Sequence, residues 1–157
     1  MARIERSRLH MEEAILQSRR SQCPRKHVGA VAIRDGRIIA SGYNGVLPGV
    51  NSKMGMNEHG ESTTVHAEAN LIAYAAKMGI PLKGSSLYTT LEPCRKCAEL
   101  LLQVGFSEVI FLDFYRKHDG LRLLANSNLQ TIKLTLDGED TTSHKIINVK
   151  NIPEDAE

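Results

Sequence analysis

The chain contains no tryptophan, and aromatic residues make up only 4% of its 157 residues. Stacking platforms for single-stranded nucleic acid need such rings. An excess of one charge is missing too, since 20 Lys and Arg face 18 Asp and Glu for a formal net charge of +2. Proteins that grip a nucleic-acid polymer carry a clear basic excess. Both deficits point to a small-molecule substrate and to no nucleic-acid partner. Cysteine is sparse and odd in number, with three in all, which excludes a disulfide framework. No uncharged, mostly apolar run, Leu71 to Ala76 among them, is long enough for a membrane span. Met1 to Glu5 leads straight into charged residues with no apolar signal region. A reducing, cytoplasmic compartment is expected (the host cytoplasm for a viral source), with no membrane partner. What is present is ordinary: 41% hydrophobic and 24% charged residues, enough for one soluble domain with a real core.

Patterning divides the chain into short elements. From Ile4 to Arg20, apolar residues interrupt charged ones as on a surface helix. Val28 to Ile33 and Ile38 to Tyr43 read as strands, and Asp35-Gly36 between them is a hairpin signal. Residues 45–65 show no periodicity and are rich in Gly, Asn, Ser and Thr, as in a binding loop. His66 to Met78 reads as a helix stopped by Gly79 and Pro81. Ser86 to Thr90 is a strand, and Pro93 to Val104 a helix with Pro at its first position. Glu108 to Leu112, Leu121 to Ala125 and Thr131 to Leu136 read as strand, helix and strand. Strands alternating with helices predict an α/β domain with a partly parallel sheet over residues 1–136. Residues 137–157 are expected to form an acidic, flexible tail.

Two motifs carry chemistry: His66-Ala67-Glu68 and Pro93-Cys94-Arg95-Lys96-Cys97. Cys94 and Cys97 fall three apart on one face of an opening helical turn, where the helix N-terminus favours thiolates. With His66 they make three zinc ligands, leaving a fourth tetrahedral position for water, as in catalytic sites. Glu68, two residues on, is placed to exchange protons with that water without binding the metal. Alone, Cys-x-x-Cys also fits a redox pair or half a structural site. Its combination with His-x-Glu is the signature of zinc nucleobase deaminases.

The chain resembles the zinc-dependent cytidine/deoxycytidylate deaminase superfamily, and within it the deoxycytidylate (dCMP) deaminases. The resemblance rests on Val28-Gly29-Ala30-Val31, Gly42-Tyr43-Asn44-Gly45, His66-Ala67-Glu68-Ala69-Asn70 and Leu91-Glu92-Pro93-Cys94-Arg95-Lys96-Cys97. It implies a three-layer α-β-α fold with a five-stranded mixed sheet and helices on both faces. It implies hydrolysis of dCMP to dUMP and ammonia, with Zn2+ on His66, Cys94 and Cys97 and with Glu68 protonating N3 and the leaving amino group. By the same resemblance Asn44 lies near the deoxyribose. A homohexamer is implied, activated by dCTP with Mg2+ and inhibited by dTTP, with Asn44, Gly45, Tyr74 and Lys77 matching the effector site.

Arg25 and Lys26 lead into the first strand and are the candidates for the substrate phosphate. Thr64, Val65, Ala67, Thr90 and Leu91 should line the base pocket, and Tyr115 and Arg116 close it. Asn44-Gly45 is equally a turn signal. Cys23 reads as a small buried hydrophobe. Many relatives hold a second zinc near this position, but here only Cys23 and His59 remain and residues 45–65 lack Cys, so no second zinc is expected. The main rival is a tRNA adenosine deaminase or another nucleotide or nucleoside deaminase of the superfamily. A nucleoside cytidine deaminase would carry Cys in place of His66. In a non-catalytic zinc module Glu68 would have no use.

Overall fold

The computed structural model describes residues 3–49, 64–146 and 149–156. Its elements run α1 (Arg6–Ser18), β1 (Gly29–Arg34), β2 (Arg37–Tyr43), α2 (Ala67–Met78), β3 (Ser86–Leu91), α3 (Arg95–Val104), β4 (Glu108–Asp113), α4 (Asp119–Ala125), β5 (Gln130–Asp137) and β6 (Asp140–Lys145). The strands form one sheet in the order β2-β1-β3-β4-β5-β6. Strands β3, β4 and β5 run parallel, while β1 lies antiparallel to both β2 and β3. The sheet is mixed, as expected, but has six strands instead of five. The sixth comes from the stretch expected as a flexible tail. β6 pairs antiparallel with β5 from Asp137↔Asp140 to Ile132↔Lys145.

Alternation along the central strands builds two apolar layers. Ala30, Ala32, Leu87 and Val109 face α2, α3 and α4, packing on Leu71, Ala75, Ala98, Leu101 and Leu124. Val31, Ile33, Tyr88, Ile110 and Leu134 face the other way, onto Met11 and Ala14 of α1. The result is helix, sheet, helix, with α1 alone on its side. Helices α2 and α3 both stop at glycines in the left-handed region, Gly79 at φ 68° and Gly105 at φ 86°.

Close packing positions the site-bearing elements. A Cβ at Gly42 would lie 2.6 Å from the Ala67 carbonyl oxygen and 2.8 Å from Leu71 N, so α2 can lie against β2 only because residue 42 has no side chain. Asn70 adds a tie by donating through Nδ2 to the Tyr43 carbonyl at 2.8 Å. Gly45 and Val65 exchange two backbone hydrogen bonds of 3.1 and 2.8 Å, joining the flanks of the long loop. Its residues 50–63, His59 among them, lie outside the described residues. Among the described residues no helix is long and apolar enough to cross a membrane.

Candidate active site

Helices α2 and α3 begin side by side, and the residues just before them carry the donor atoms. His66 is the N-cap of α2 in extended conformation, with no side-chain capping bond, so its imidazole is not engaged in capping. Helix α3 starts two residues later than expected. Pro93 lies outside it, and Cys94 at ψ 170° is the N-cap, its Sγ accepting the Cys97 N–H at 3.5 Å. A sulfur at an N-cap takes the role usually filled by a hydroxyl or carboxylate oxygen and gains from the same N–H groups.

His66 Nδ1 lies 3.4 Å from Cys94 Sγ and 3.5 Å from Cys97 Sγ. Zinc bonds of ~2.3 Å to sulfur and ~2.0–2.1 Å to nitrogen at tetrahedral angles require an N···S separation of roughly 3.5 Å. Both His66–cysteine spacings therefore fit zinc, and all three donor atoms lie within 4.8 Å of one another. They form the one group of at least three clustered metal-type donors among the described residues. Cys97 is buried, Cys94 half-buried and His66 exposed, which leaves the cluster open on one side, as a catalytic ion requires.

Proton sharing within the cluster suits metal binding. The Cys94 thiol is drawn down to about 4, first by the hydrogen bond from Cys97 and further by His66. Cys97 is pushed up, since it shares its proton with the Cys94 sulfur and is buried. His66 is raised by its hydrogen bond with Cys94, against the effect of burial. Zinc competes with these protons for the same lone pairs.

Glu68, in the first turn of α2, is 3% exposed. Burial holds its carboxyl above the usual range. The Thr89 hydroxyl on β3 donates to its Oε1 at 3.4 Å. Glu68 is not among the metal donors, so its carboxyl is left for proton exchange.

Beside the cluster opens a cavity of about 250 Å³. Of the residues expected around the substrate, Arg25, Lys26, Asn44, Thr64, Ala67, Leu91 and Tyr115 line it, together with His66, Glu68 and Cys94. Val65, Thr90 and Arg116 do not. Val65 is spent on the bridge to Gly45, and the Thr90 hydroxyl accepts the Gly29 N–H at 3.2 Å. Cys23 is buried, as expected, and also lines the cavity.

Asn44 has structural duties that the sequence hid. Its Oδ1 accepts the Val28 N–H at 2.8 Å and the Ser21 hydroxyl at 2.5 Å, and its Nδ2 donates to the Lys26 carbonyl at 2.6 Å. It thereby fixes the Arg25–Lys26 segment over the cavity. Of the four residues matched to an effector site, Asn44 lines the cavity, and Gly45 beside it is buried and does not. Tyr74 and Lys77 sit on the exposed part of α2 beyond the cavity lining.

Glu92 was missed. It is 3% exposed and lines the cavity, with its Oε1 accepting the Tyr115 N–H at 2.5 Å and lying 2.6 Å from His118 Nδ1. Only its place in Leu91-Glu92-Pro93-Cys94 could have drawn attention to it.

The sequence model of the cytidine and deoxycytidylate deaminase zinc-binding region matches residues 4–113. ComE operon protein 2 of Bacillus subtilis is 36% identical over 122 residues, covering 75% of this chain and 65% of the relative. A probable deoxycytidylate deaminase of Drosophila melanogaster is 40% identical over 116 residues, covering 65% and 56%. The chain thus spans less than two thirds of the length of these two relatives. A crystal structure of dCMP deaminase from cyanophage S-TIM5 in complex with dCMP and dUMP superposes with a TM-score of 0.77 at 30% identity, over 85% of this chain and 99% of that one. The three-donor cluster, the buried free carboxyl beside it and the match over residues 4–113 lead to one conclusion: the chain belongs to the cytidine and deoxycytidylate deaminase zinc-binding family.

Proposed function

We propose that the protein hydrolyses dCMP to dUMP and ammonia, supplying dUMP for thymidylate synthesis in the cytoplasm. The observation that carries this reading is the buried, unliganded Glu68 beside an open His66–Cys94–Cys97 cluster, in a cavity that also holds Arg25 and Lys26. Zinc on His66, Cys94 and Cys97 supplies the Lewis acidity that makes water a nucleophile near neutral pH. Glu68 would take one proton from the attacking water and give it to N3 of the base, then take the second from the hydroxyl left on C4 and pass it to the amino group, so that the C4–N bond breaks, the C4 carbonyl forms and ammonia leaves. A carboxyl raised by burial suits this traffic, because its basic and acidic forms lie closer in energy near neutral pH. Arg25 and Lys26 are assigned to the phosphate and Asn44 to holding them there. Tyr115 forms the wall facing the base.

Ammonia release from dCMP, dCTP, deoxycytidine and a tRNA anticodon stem-loop tests the assignment. The expected result is turnover of dCMP above the others, with Glu68→Gln retaining zinc but losing at least ~10²–10⁴-fold in rate. A Glu68→Gln enzyme with a tenth of the parent activity refutes the proton-transfer role. Preferred turnover of the stem-loop replaces dCMP with a tRNA substrate. The same assay extends to regulation, for which we propose a homohexamer activated by dCTP with Mg2+ and inhibited by dTTP. Support comes from the Gly45–Val65 bridge, which links the Asn44 strand end to His66. Sigmoidal dCMP curves made hyperbolic by dCTP are expected. Curves indifferent to both nucleotides reject it.

A further inference from the structure

Tyr115 reaches the cavity from a segment with no regular structure, between the end of β4 at Asp113 and the start of α4 at Asp119. Such a segment is mobile unless its backbone is tied down. Here it is tied from two sides. From inside, Glu92 Oε1 accepts the Tyr115 N–H at 2.5 Å and meets His118 Nδ1 at 2.6 Å. The Glu92 N–H donates to the Asp113 carbonyl at 2.9 Å. From outside, the C-terminal residues reach back. Asp155 Oδ1 accepts the His118 N–H at 3.0 Å and an Arg122 guanidinium N–H at 3.0 Å. The Ala156 N–H donates to the Arg116 carbonyl at 2.8 Å. Ile152 packs on the buried trio Phe111, Leu121 and Ile146.

Every one of these bonds ends on residues 113, 115, 116 or 118, or on the Arg122 that anchors Asp155. The Tyr115 side chain itself is 40% exposed, with the Arg116 guanidinium 5.8 Å from the ring centre. Its own packing therefore holds it less firmly than the bonds to its backbone do. Phe114 is set edge-on between Phe111 and His118, with ring centres 5.3 and 5.7 Å away, which anchors the residue before it. The residues that close the clasp lie beyond residue 113, where the family match ends.

We infer that Glu92 and Asp155 are positioning residues, and that the C-terminal segment 152–156 is a clasp fixing the Tyr115 wall of the substrate cavity and so setting substrate affinity. The kinetic half of this inference rests on the dCMP reading, whereas the positional half does not. An open wall costs the enzyme bound geometry before chemistry begins, so the deficit falls on KM.

Because the chain has no tryptophan, Tyr115→Trp in the zinc-loaded protein introduces a single indole at the wall. Asp155→Ala, and separately Arg122→Ala, which removes the guanidinium that anchors Asp155 and leaves it only the His118 N–H, should raise acrylamide quenching of that indole about twofold. In the otherwise native enzyme both should raise KM for dCMP about 3–10-fold with kcat held within about twofold. A merely structural role would lower Tm while leaving quenching and KM alone. Unchanged quenching in both variants overturns the clasp, whether or not the native protein turns over dCMP. An unchanged KM in an enzyme that does turn over dCMP overturns its role in affinity.

Discussion

At the scale of single residues, the zinc donors are bound to their neighbours by separations that match a metal's own requirement, so removing one should be felt in both binding and stability. Cys94→Ala leaves two donors and removes the N-cap acceptor for Cys97 N–H. Metal analysis should give close to one zinc per chain for the parent and almost none for the variant. Its Tm should fall by about 5–10 °C, because bound zinc contributes to folding free energy. A variant that keeps its zinc contradicts the assignment of Cys94. His66, Glu68, Cys94 and Cys97 were legible because their chemistry is carried by short local spacings. Asn44 was legible as a cavity residue, but its backbone-holding bonds were not, and Glu92 was not legible at all. Their partners lie far along the chain, at Ser21, Val28 and Lys26 for one and at Tyr115 and His118 for the other. Polar residues whose function is to hold distant backbone leave no periodic trace.

At the scale of elements, α4 is pressed onto the loop that carries Cys94. A Cβ at Gly120 would stand 2.3 Å from the Pro93 carbonyl oxygen and 2.8 Å from the Cys94 carbonyl oxygen. Gly120→Ala must push α4 away from backbone that cannot yield, at a cost of roughly 2 kcal/mol or more. Chemical denaturation should show that loss, with zinc bound more weakly than in the parent. A midpoint equal to the parent's would mean that α4 moves without strain. The strand that escaped notice, β6, illustrates the limits of periodicity. Its residues are almost all exposed, so no apolar alternation marks it, and beyond its pairing with β5 it is held by single bonds at its ends, from Arg8 to the Asp140 carbonyl and from Asn151 to the Lys145 carbonyl. A signal did exist. Asp137-Gly138 stands between the two strands just as Asp35-Gly36 stands between β1 and β2, with Gly138 at φ 57° and Gly36 at φ 73°. The first pair is legible as a hairpin because apolar strands flank it on both sides, and the second is not because the strand that follows it is polar.

For the molecule as a whole, the C-terminal residues are stitched to α4 by charge, and that stitch depends on pH. The Asp155 carboxyl is held below its ordinary value of 3.8, first by the Arg122 guanidinium and then by the His118 N–H. A carboxyl depressed by folding stabilises the fold fully above its ordinary value, and that help disappears as pH falls through the lowered one. Asp155→Asn should therefore melt below the parent at pH 7, and the gap should close at an acid pH well below 3.8, where the lowered carboxyl is protonated. A gap of equal size at both pH values would show that ionisation of Asp155 plays no part. The arrangement of the site has a wider consequence. Every donor of the candidate metal site, and Glu68, to which proton transfer is assigned above, falls within the stretch α2–β3–α3, residues 66 to 97. Most of the cavity's remaining walls come from elsewhere, at Arg25, Lys26 and Asn44 on one side and Tyr115 on the other. Reaction and recognition are thus inherited from separate parts of the gene. On the proposed function, mutational drift in the walls can try new bases, sugars or anionic groups while the reacting centre is passed on intact, so a lineage could change what it deaminates without first losing the ability to deaminate.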